Sequence, residues 1–239
     1  MSDLRVSRRA LVGADGCRDG WLAVVERGDE LTAWIAPDFA ALLSRVATDA
    51  LIGIDIPIGL PDRGSRQCDI EARKLLGRPR RSSVFPAPLR SCLRDGTYAE
   101  VSAIHRYMDG RGMTKQTYSL LGKIREVDRC TRADHTLQER VREVHPELSF
   151  YHWNREKPMV HKKSRVAGRQ ERERLIEQVW PGERQRLMEL LNGRDFKPDD
   201  LNDAFAALWS VRRMMFDRAI VVPCIAERDG AGSRMEIVA

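Results

Sequence analysis

Residues 51–61, LIGIDIPIGLP, are the feature that most constrains the fold, because nearly every side chain in this run is apolar. Such a strand has to be covered on both faces, which is the position of a central strand with helices packed on either side. The run nevertheless carries a carboxylate, Asp55, close to Pro57 and Gly59. A charged side chain at the end of a buried strand requires a structural or functional explanation.

The segments before this run predict a mixed sheet. Residues 10–15, 20–26 and 30–36 read as three strands joined by short polar turns. Residues 37–47 have the apolar spacing of a helix that begins with a proline. A helix that leads directly into a buried strand indicates a crossover, so we expect the strand in 51–61 to lie beside the first strand.

The remainder of the chain is predicted to be mostly helical. Residues 63–140 are polar and basic, and we expect them to form a helical insertion on the sheet. The predicted elements are helices over 97–108, 116–130, 168–180, 182–192 and 198–215, and strands over 141–150, 219–223 and 235–239. Because the sequence shows neither internal repeats nor a low-complexity linker, residues 1–239 are expected to form one domain that carries the insertion.

Charge and cysteine content restrict the class of protein. The 239 residues include 41 basic and 35 acidic side chains, a net charge of +6 that mildly favours polyanionic partners. The five cysteines form no Cys-x-x-Cys pair, which argues against a disulfide framework or structural zinc. Residues 1–10 lack a signal-peptide pattern, and no stretch approaches a membrane span of about 18 apolar residues. We expect a cytoplasmic protein without membrane contact, and leave open whether it forms a homodimer.

Five acids lie at the ends of predicted core elements. Asp15 and Asp55 end strands, Glu143 lies in a strand, and Asp200 and Asp203 open the last predicted helix. Clustered carboxylates are costly unless a cation compensates their charge. Mg²⁺ or Mn²⁺ would remove this cost, and two such ions about 4 Å apart can clamp a phosphodiester. All five are therefore candidate catalytic residues, and the four aspartates are candidate metal ligands.

Each acid also has a structural alternative. Asp15 suits a turn, and Asp55 suits a hydrogen bond to the backbone of the turn that follows it. Asp199 or Asp200 suits a helix cap, and Asp203 is favoured there by the helix dipole. Glu143 could pair with an arginine of the insertion. The joint placement of the five acids at element ends favours a site over five separate local roles.

Basic and hydroxyl side chains are concentrated in two segments. Residues 63–90 contain eight basic side chains and two acids, and residues 155–174 contain eight and three. Such groups suit phosphate oxygens, although a run of charge is also typical of a solvated surface. The candidate nucleic-acid-binding residues are Arg78, Arg80, Arg81, Ser82, Ser83, Lys115, Lys123, Lys162, Lys163 and Arg165. DNA or RNA is the partner that this composition favours.

Three ring side chains have candidate roles and plain alternatives. Phe85 or Tyr118 could stack on a base. The alternatives place Phe85 in the core and Tyr118 on a helix face. His145 could orient Glu143, or it could be a structural histidine, since the histidines do not have the spacing of a metal site.

The order of elements, with acids on the first and fourth strands and on the late helix, resembles the RNase H-like fold. DLNDAFAAL is similar to the Asp-x-x-Asp-Ala-x-Ala pattern of RuvC-type resolvases. The long segments GADGCRDGW, GIDIPIGLP, CDIEARKLLGRPRRSSVFPAP, KQTYSLLGKIREVD and EVHPELSF resemble a family of uncharacterised bacterial proteins described as predicted RNase H-like nucleases. This resemblance runs over nearly the whole chain.

The resemblance implies an α/β fold with a central mixed sheet, in which a three-strand meander is extended by parallel strands and flanked by helices. Asp15 then matches the first-strand acid, Asp55 the fourth-strand acid, and Asp200 and Asp203 the helix pair, whereas Glu143 has no clear counterpart. The implied activity is hydrolysis of phosphodiester bonds in nucleic acid with Mg²⁺ or Mn²⁺. The alternatives are a small-nucleotide phosphohydrolase or phosphotransferase, and a non-catalytic nucleic-acid- or protein-binding module.

Overall fold

A five-stranded mixed sheet lies at the centre of the computed structural model, which describes residues 9–239. Its strands are β1 (Leu11–Cys17), β2 (Gly20–Arg27), β3 (Glu30–Ala36), β4 (Leu51–Ile54) and β5 (Val141–Glu143). The order is β3-β2-β1-β4-β5, with an antiparallel β1–β2–β3 meander and with β4 and β5 parallel to β1. The predicted mixed sheet is confirmed. The expectation about a signal peptide falls mostly on residues 1–8, which lie outside the described residues.

Helices cover the sheet and fill the connections between strands. They are α1 (Phe39–Arg45), α2 (Gln67–Arg80), α3 (Tyr98–Asp109), α4 (Lys115–Ala133), α5 (Leu137–Arg140), α6 (Pro146–Trp153), α7 (Val166–Val179), α8 (Glu183–Leu190) and α9 (Pro198–Met215). Helix α2 is interrupted at Gly77 and Arg78, where the backbone angles are not helical. Within residues 9–239 no helix combines the length and the apolar character needed to cross a membrane.

Four predicted strands differ from the structure in extent or partner. Strand β4 ends at Ile54, so Asp55 follows the strand directly. Residues 141–150 divide into β5 and α6, because Pro146 suits the first turn of a helix and cannot donate to a sheet ladder. The last two strands, β6 (Val221–Arg228) and β7 (Arg234–Val238), pair with each other in a separate two-stranded sheet.

Strand β4 is covered on both faces, as its apolar sequence predicts. On one face Leu51 belongs to a core layer built with α7, α8 and α9. On the other face Ile52 and Ile54 pack in a layer that includes side chains of α1 and α4. The sheet is therefore the middle layer of three.

Helix α9 lies directly on β1 and β4 because both strands carry glycine where the helix crosses them. Gly13 and Gly53 are partners in the parallel register. A Cβ atom at Gly13 would lie 2.1 Å from the carbonyl oxygen of Ala204, and one at Gly53 would lie 2.6 Å from the side chain of Val211. The two glycines therefore set the distance between the helix and the sheet.

Replacing Gly13 by alanine should destabilise the fold, because the added methyl group would overlap the backbone of α9. Overpacking of this kind costs about 1–3 kcal/mol, which urea unfolding measures as a lower midpoint. The matched control is Gly122→Ala in α4, where nothing lies within 4 Å of an added Cβ atom. That control should stabilise by about 1 kcal/mol through helix propensity. An unchanged midpoint for Gly13→Ala would contradict the tight crossing.

Candidate metal centre

Asp15 and Asp55 face α9 because each follows a helix-facing glycine by two residues. Side chains alternate along a strand, so a residue two positions after such a glycine points to the same side. The backbone N–H of Asp55 donates to the carbonyl oxygen of Ala14 at 3.1 Å, which continues the parallel pairing past the end of β4. The two carboxylates therefore leave the sheet side by side, at the carboxyl ends of β1 and β4.

Asp203 completes this cluster from the helix above the sheet. It precedes Ala204, whose carbonyl oxygen lies over Gly13, and it is 1% exposed. One carboxylate oxygen from each of Asp15, Asp55 and Asp203 lies within 4.8 Å of the other two. The structure thus brings together three of the five predicted acids, and we call these three residues the aspartate triad.

Burial and mutual repulsion disfavour the ionised forms of the triad. Burial is the main cause that raises the pKa of Asp15 well above its ordinary value, and the charges of Asp55 and Asp203 raise it further. Burial also raises the pKa of Asp55, and it raises the pKa of Asp203 to about 7. A hydrogen bond from the backbone N–H of Gly16 to Asp15 Oδ1, at 2.6 Å, holds one carboxylate in place. The triad is therefore a strained group of charges that a cation would relieve.

One lysine supplies positive charge to the triad. The ammonium group of Lys163, in the segment between α6 and α7, donates to Asp203 Oδ2. Against the effect of burial, its charge lowers the pKa of all three aspartates. The three carboxylates raise the pKa of Lys163 in turn, and Asp203 has the largest effect. The sequence offered Lys163 as a phosphate contact, whereas its hydrogen bond in the structure is to a candidate metal ligand.

Two side chains at the start of α6 have charges that act on the triad. Besides burial, the charge of Glu147 raises the pKa of Asp55 and of Asp203, and His145 lowers that of Asp55. Glu147 is 6% exposed; its Oε1 accepts from Arg172, while its Oε2 is buried without a hydrogen-bond partner among the described residues. The Nδ1 atom of His145 is likewise buried without a hydrogen-bond partner among the described residues. Such orphaned atoms beside three carboxylates suit the coordination of a cation.

Sequence reasoning missed Glu147 because the segment 141–150 was read as one strand. In a strand its position carries no special meaning, whereas in the structure it lies in the first turn of α6. The available signal was the tripeptide His145-Pro146-Glu147, since proline followed by an acid is typical of a helix N-terminus. His145 does not orient Glu143; its Nε2 lies 3.3 Å from the carbonyl oxygen of Ser83.

Glu143 lies on the opposite face of the sheet from the triad, which corrects its assignment to the acid site. It pairs in register with Ile54, whose side chain belongs to the layer of α1 and α4. There its two carboxylate oxygens accept from Arg66 at 2.6 and 2.7 Å. These contacts agree with the alternative prediction, in which Glu143 pairs with an arginine of the segment 63–140.

Asp200 lies at the edge of the triad. Its Oδ2 accepts from the backbone N–H of Lys197 at 2.8 Å, so it caps the first turn of α9 as its structural alternative describes. After burial and the nearer acids, its charge also raises the pKa of Asp15. Its role as a metal ligand stays a prediction.

The predicted phosphate contacts near α2 divide into buried and exposed residues. Arg80 is buried and donates to the carbonyl oxygen of Val160 at 3.1 Å, which ties the end of α2 to the segment that carries Lys163. Ser83 is half-buried, and its backbone contacts His145. The exposed residues of these two segments are Arg78, Arg81, Ser82, Lys162 and Arg165. These five side chains are exposed and stay predicted phosphate contacts, whereas Arg80 is committed to the fold.

The remaining predicted contacts lie on α4 and after α2. Lys123 donates to the carbonyl oxygen of Gly20 at 2.6 Å, against the β1–β2 turn. Lys115 is exposed and is the first residue of α4. It lies about 12 Å from Lys123 along the helix axis. Phe85 is 43% exposed, so the alternative that placed it in the core is wrong. Tyr118 is half-buried on α4, as expected of a residue on a helix face.

The fold and the triad together define a mixed α/β protein in which a buried acidic cluster, at the carboxyl ends of two parallel strands, could hold a metal ion. Residues 13–228 match the family described as "Protein of unknown function (DUF429)", and the chain belongs to that family. The matched range contains the triad, Lys163 and the exposed basic residues. Comparison with curated proteins and with solved structures gives no match.

The contribution of Asp203 to the stability of the metal-free protein should fall as the pH rises from 3.8 to about 7. Asp203 binds a proton more tightly in the folded state than in the unfolded state, so its ionisation over this interval favours unfolding. Thermal melting across this interval in the presence of a chelator measures the effect. Asp203→Asn should flatten the profile, whereas Asp29→Asn, at an exposed turn, should leave it unchanged. Identical profiles for Asp203→Asn and the unmodified protein would contradict the shift.

Proposed function

We propose that this protein is a metal-dependent nuclease that hydrolyses phosphodiester bonds of nucleic acid. The observation that carries the proposal is the meeting of Asp15, Asp55 and Asp203 carboxylate oxygens within 4.8 Å of one another. Mg²⁺ and Mn²⁺ prefer such hard oxygen ligands and keep several waters in their shells. The unpartnered Oε2 of Glu147 offers a further oxygen donor of the same kind.

The roles of the residues follow from their positions. Asp15, Asp55 and Asp203 would hold the metal, with Glu147 and Asp200 as additional donors at its edge. A bound divalent ion supplies Lewis-acid activation of the phosphodiester and of the attacking water. Asp15 and Asp203 are buried between β1, β4 and α9, where charge interactions are strong. Half-buried Asp55 and partly exposed Lys163 leave the triad open to solvent on one side.

The surroundings of the triad support a polymeric, negatively charged substrate. Exposed basic side chains lie on two segments that contact each other through Arg80 and Val160. Arginine and lysine side chains position a phosphate backbone without reading its sequence, so both DNA and RNA fit the proposal. The exposed ring of Phe85, on the segment that follows α2, could stack on a base. All five cysteines are free thiols, which agrees with a reducing compartment such as the cytoplasm.

A cleavage assay over a panel of substrates tests the proposal. The panel contains single-stranded, duplex and branched DNA, single-stranded RNA and an RNA–DNA hybrid, together with free nucleotides, each with Mg²⁺, Mn²⁺ or a chelator. Metal-dependent cleavage of a polymer is the expected result. Turnover of free nucleotides alone would favour the small-nucleotide phosphohydrolase. Metal or nucleic-acid binding without turnover on any substrate would favour a non-catalytic module.

Asp15→Asn should nearly abolish cleavage while nucleic-acid binding survives. The substitution keeps the size of the side chain and removes one ligand charge, so metal occupancy falls, whereas the exposed basic residues are untouched. Binding should stay equal or tighten, and the melting temperature without metal should rise, because one repelling charge is lost. The control is Asp29→Asn in the β2–β3 turn, beside the other end of β1, which should cleave normally. Unfolding of Asp15→Asn, together with no Mg²⁺ or Mn²⁺ effect on the unmodified protein, would make Asp15 a structural residue.

Nucleic-acid affinity should decrease steeply with salt concentration if the exposed basic residues contact phosphates. A variant with Arg81, Lys162 and Arg165 all changed to Gln should bind more weakly. For a duplex probe, the magnitude of its slope of log K against log salt should be smaller by about three. Arg27→Gln, at the exposed end of β2, should change neither quantity. An affinity that stays flat between low and physiological salt would argue against phosphate contacts by these residues.

A further inference from the structure

The charge of the aspartate triad is balanced for one divalent ion. With a cation bound, the three carboxylates are ionised and contribute three negative charges, and the ammonium group of Lys163 contributes one positive charge. Glu147 forms an ion pair with Arg172, so these two side chains together add no net charge. Asp200 is half-buried and caps the first turn of α9, so its charge is partly screened by solvent. The triad with Lys163 then has two negative charges left over, which a single Mg²⁺ or Mn²⁺ would neutralise, whereas two such ions would leave the triad positive.

We infer that Lys163 takes the place of a second metal ion, so that the triad binds one divalent cation next to the lysine ammonium group. This inference rests on the proposed metal-dependent function and specifies its centre. It differs from the two-ion arrangement that the acidic pattern of the sequence favours.

The segment that carries Lys163 is anchored on both sides, so the lysine is held at the triad by the fold. Glu171, in α7, accepts from the backbone N–H groups of Val160 and His161 at 2.8 and 3.1 Å. Arg80, at the end of α2, donates to the carbonyl oxygen of Val160. Three hydrogen bonds from side chains to the backbone of Val160 and His161 therefore hold the chain just before Lys163.

Buried Arg172 joins this segment to the acid site. Its guanidinium donates to the carbonyl oxygens of His161 and Gly168 at 3.3 and 2.6 Å, and it also binds Glu147. A Cβ atom at Gly168 would lie 2.0 Å from the carbonyl oxygen of Lys162, so α7 begins directly against the segment. The side chain that holds Glu147 therefore also helps to position the segment that carries Lys163.

The exposure of Lys163 makes it suitable for substitution. Its side chain is 43% exposed, so shortening it leaves no closed cavity in the core. Asp203, its partner, is almost fully buried, and it keeps Asp15 and Asp55 as neighbours whichever residue occupies position 163. Lys163→Gln therefore removes the charge, Lys163→Arg keeps it, and Lys157→Gln removes an exposed charge earlier in the same segment.

The test counts bound Mn²⁺ per chain and measures its dissociation constant, using equilibrium dialysis with electron paramagnetic resonance of free Mn²⁺. The unmodified protein and Lys157→Gln should bind one ion with equal affinity. Lys163→Gln should bind Mn²⁺ at least about tenfold more tightly, because a positive charge near a divalent ion has been removed. Lys163→Arg should return the affinity to that of the unmodified protein. Thermal melting of each variant verifies that it is folded.

Three outcomes separate this inference from the proposed function. Two Mn²⁺ ions per chain in the unmodified protein would overturn the inference and leave the metal-dependent function standing. Equal affinities for Lys163→Gln and the unmodified protein would show that the lysine does not act on the bound ion, which also overturns it. No Mn²⁺ binding by any folded variant would overturn the proposed function itself.

Discussion

The close crossing of α9 over β1 and β4 is the contact on which the rest of the structure depends. Gly13 and Gly53 leave the helix backbone free to approach the sheet, and the residues two positions after them are Asp15 and Asp55. Asp203 lies on the helix at the same crossing, next to a residue that touches Gly13. One packing contact therefore closes a core layer and gathers three carboxylates. A larger residue in place of either glycine would separate the helix from the sheet and the acids from one another.

Other buried or half-buried acids in the described part of the chain are compensated in a different way. In two networks a single guanidinium joins two carboxylates through directed hydrogen bonds; these are Arg66 with Asp69 and Glu143, and Arg90 with Asp128 and Asp229. Planar guanidinium groups suit such permanent pairing. In the triad, by contrast, three carboxylates share the charge of one lysine, and Glu147 Oε2 and His145 Nδ1 have no hydrogen-bond partner among the residues that the structure describes. The first arrangement holds the fold together, and the second leaves charge for a ligand to satisfy.

Much of the sheet and the last helix could be read from the sequence, because β1 to β4 and α9 have strong apolar periodicity. Asp15, Asp55 and Asp203 were accessible for the same reason, since each lies at the end of such an element. Glu143 was misplaced because β5 has only three residues, so its register could not be derived locally. Lys163 was identified by its charge alone; its contact with Asp203 depends on anchors distant in sequence, which no local pattern reveals.

The glycine contact also bears on which ion the protein would accept. Mg²⁺ requires oxygen ligands at about 2.0–2.1 Å, whereas Ca²⁺ takes them at about 2.3–2.6 Å. Two triad members are fixed to the sheet and the third to α9, so the space between their oxygens changes when the helix rises or sinks on the strands. The distance between α9 and the sheet would then determine which ionic radius fits between the carboxylate oxygens. The residues that tune it are Gly13 and Gly53, which carry no ligand atoms at all.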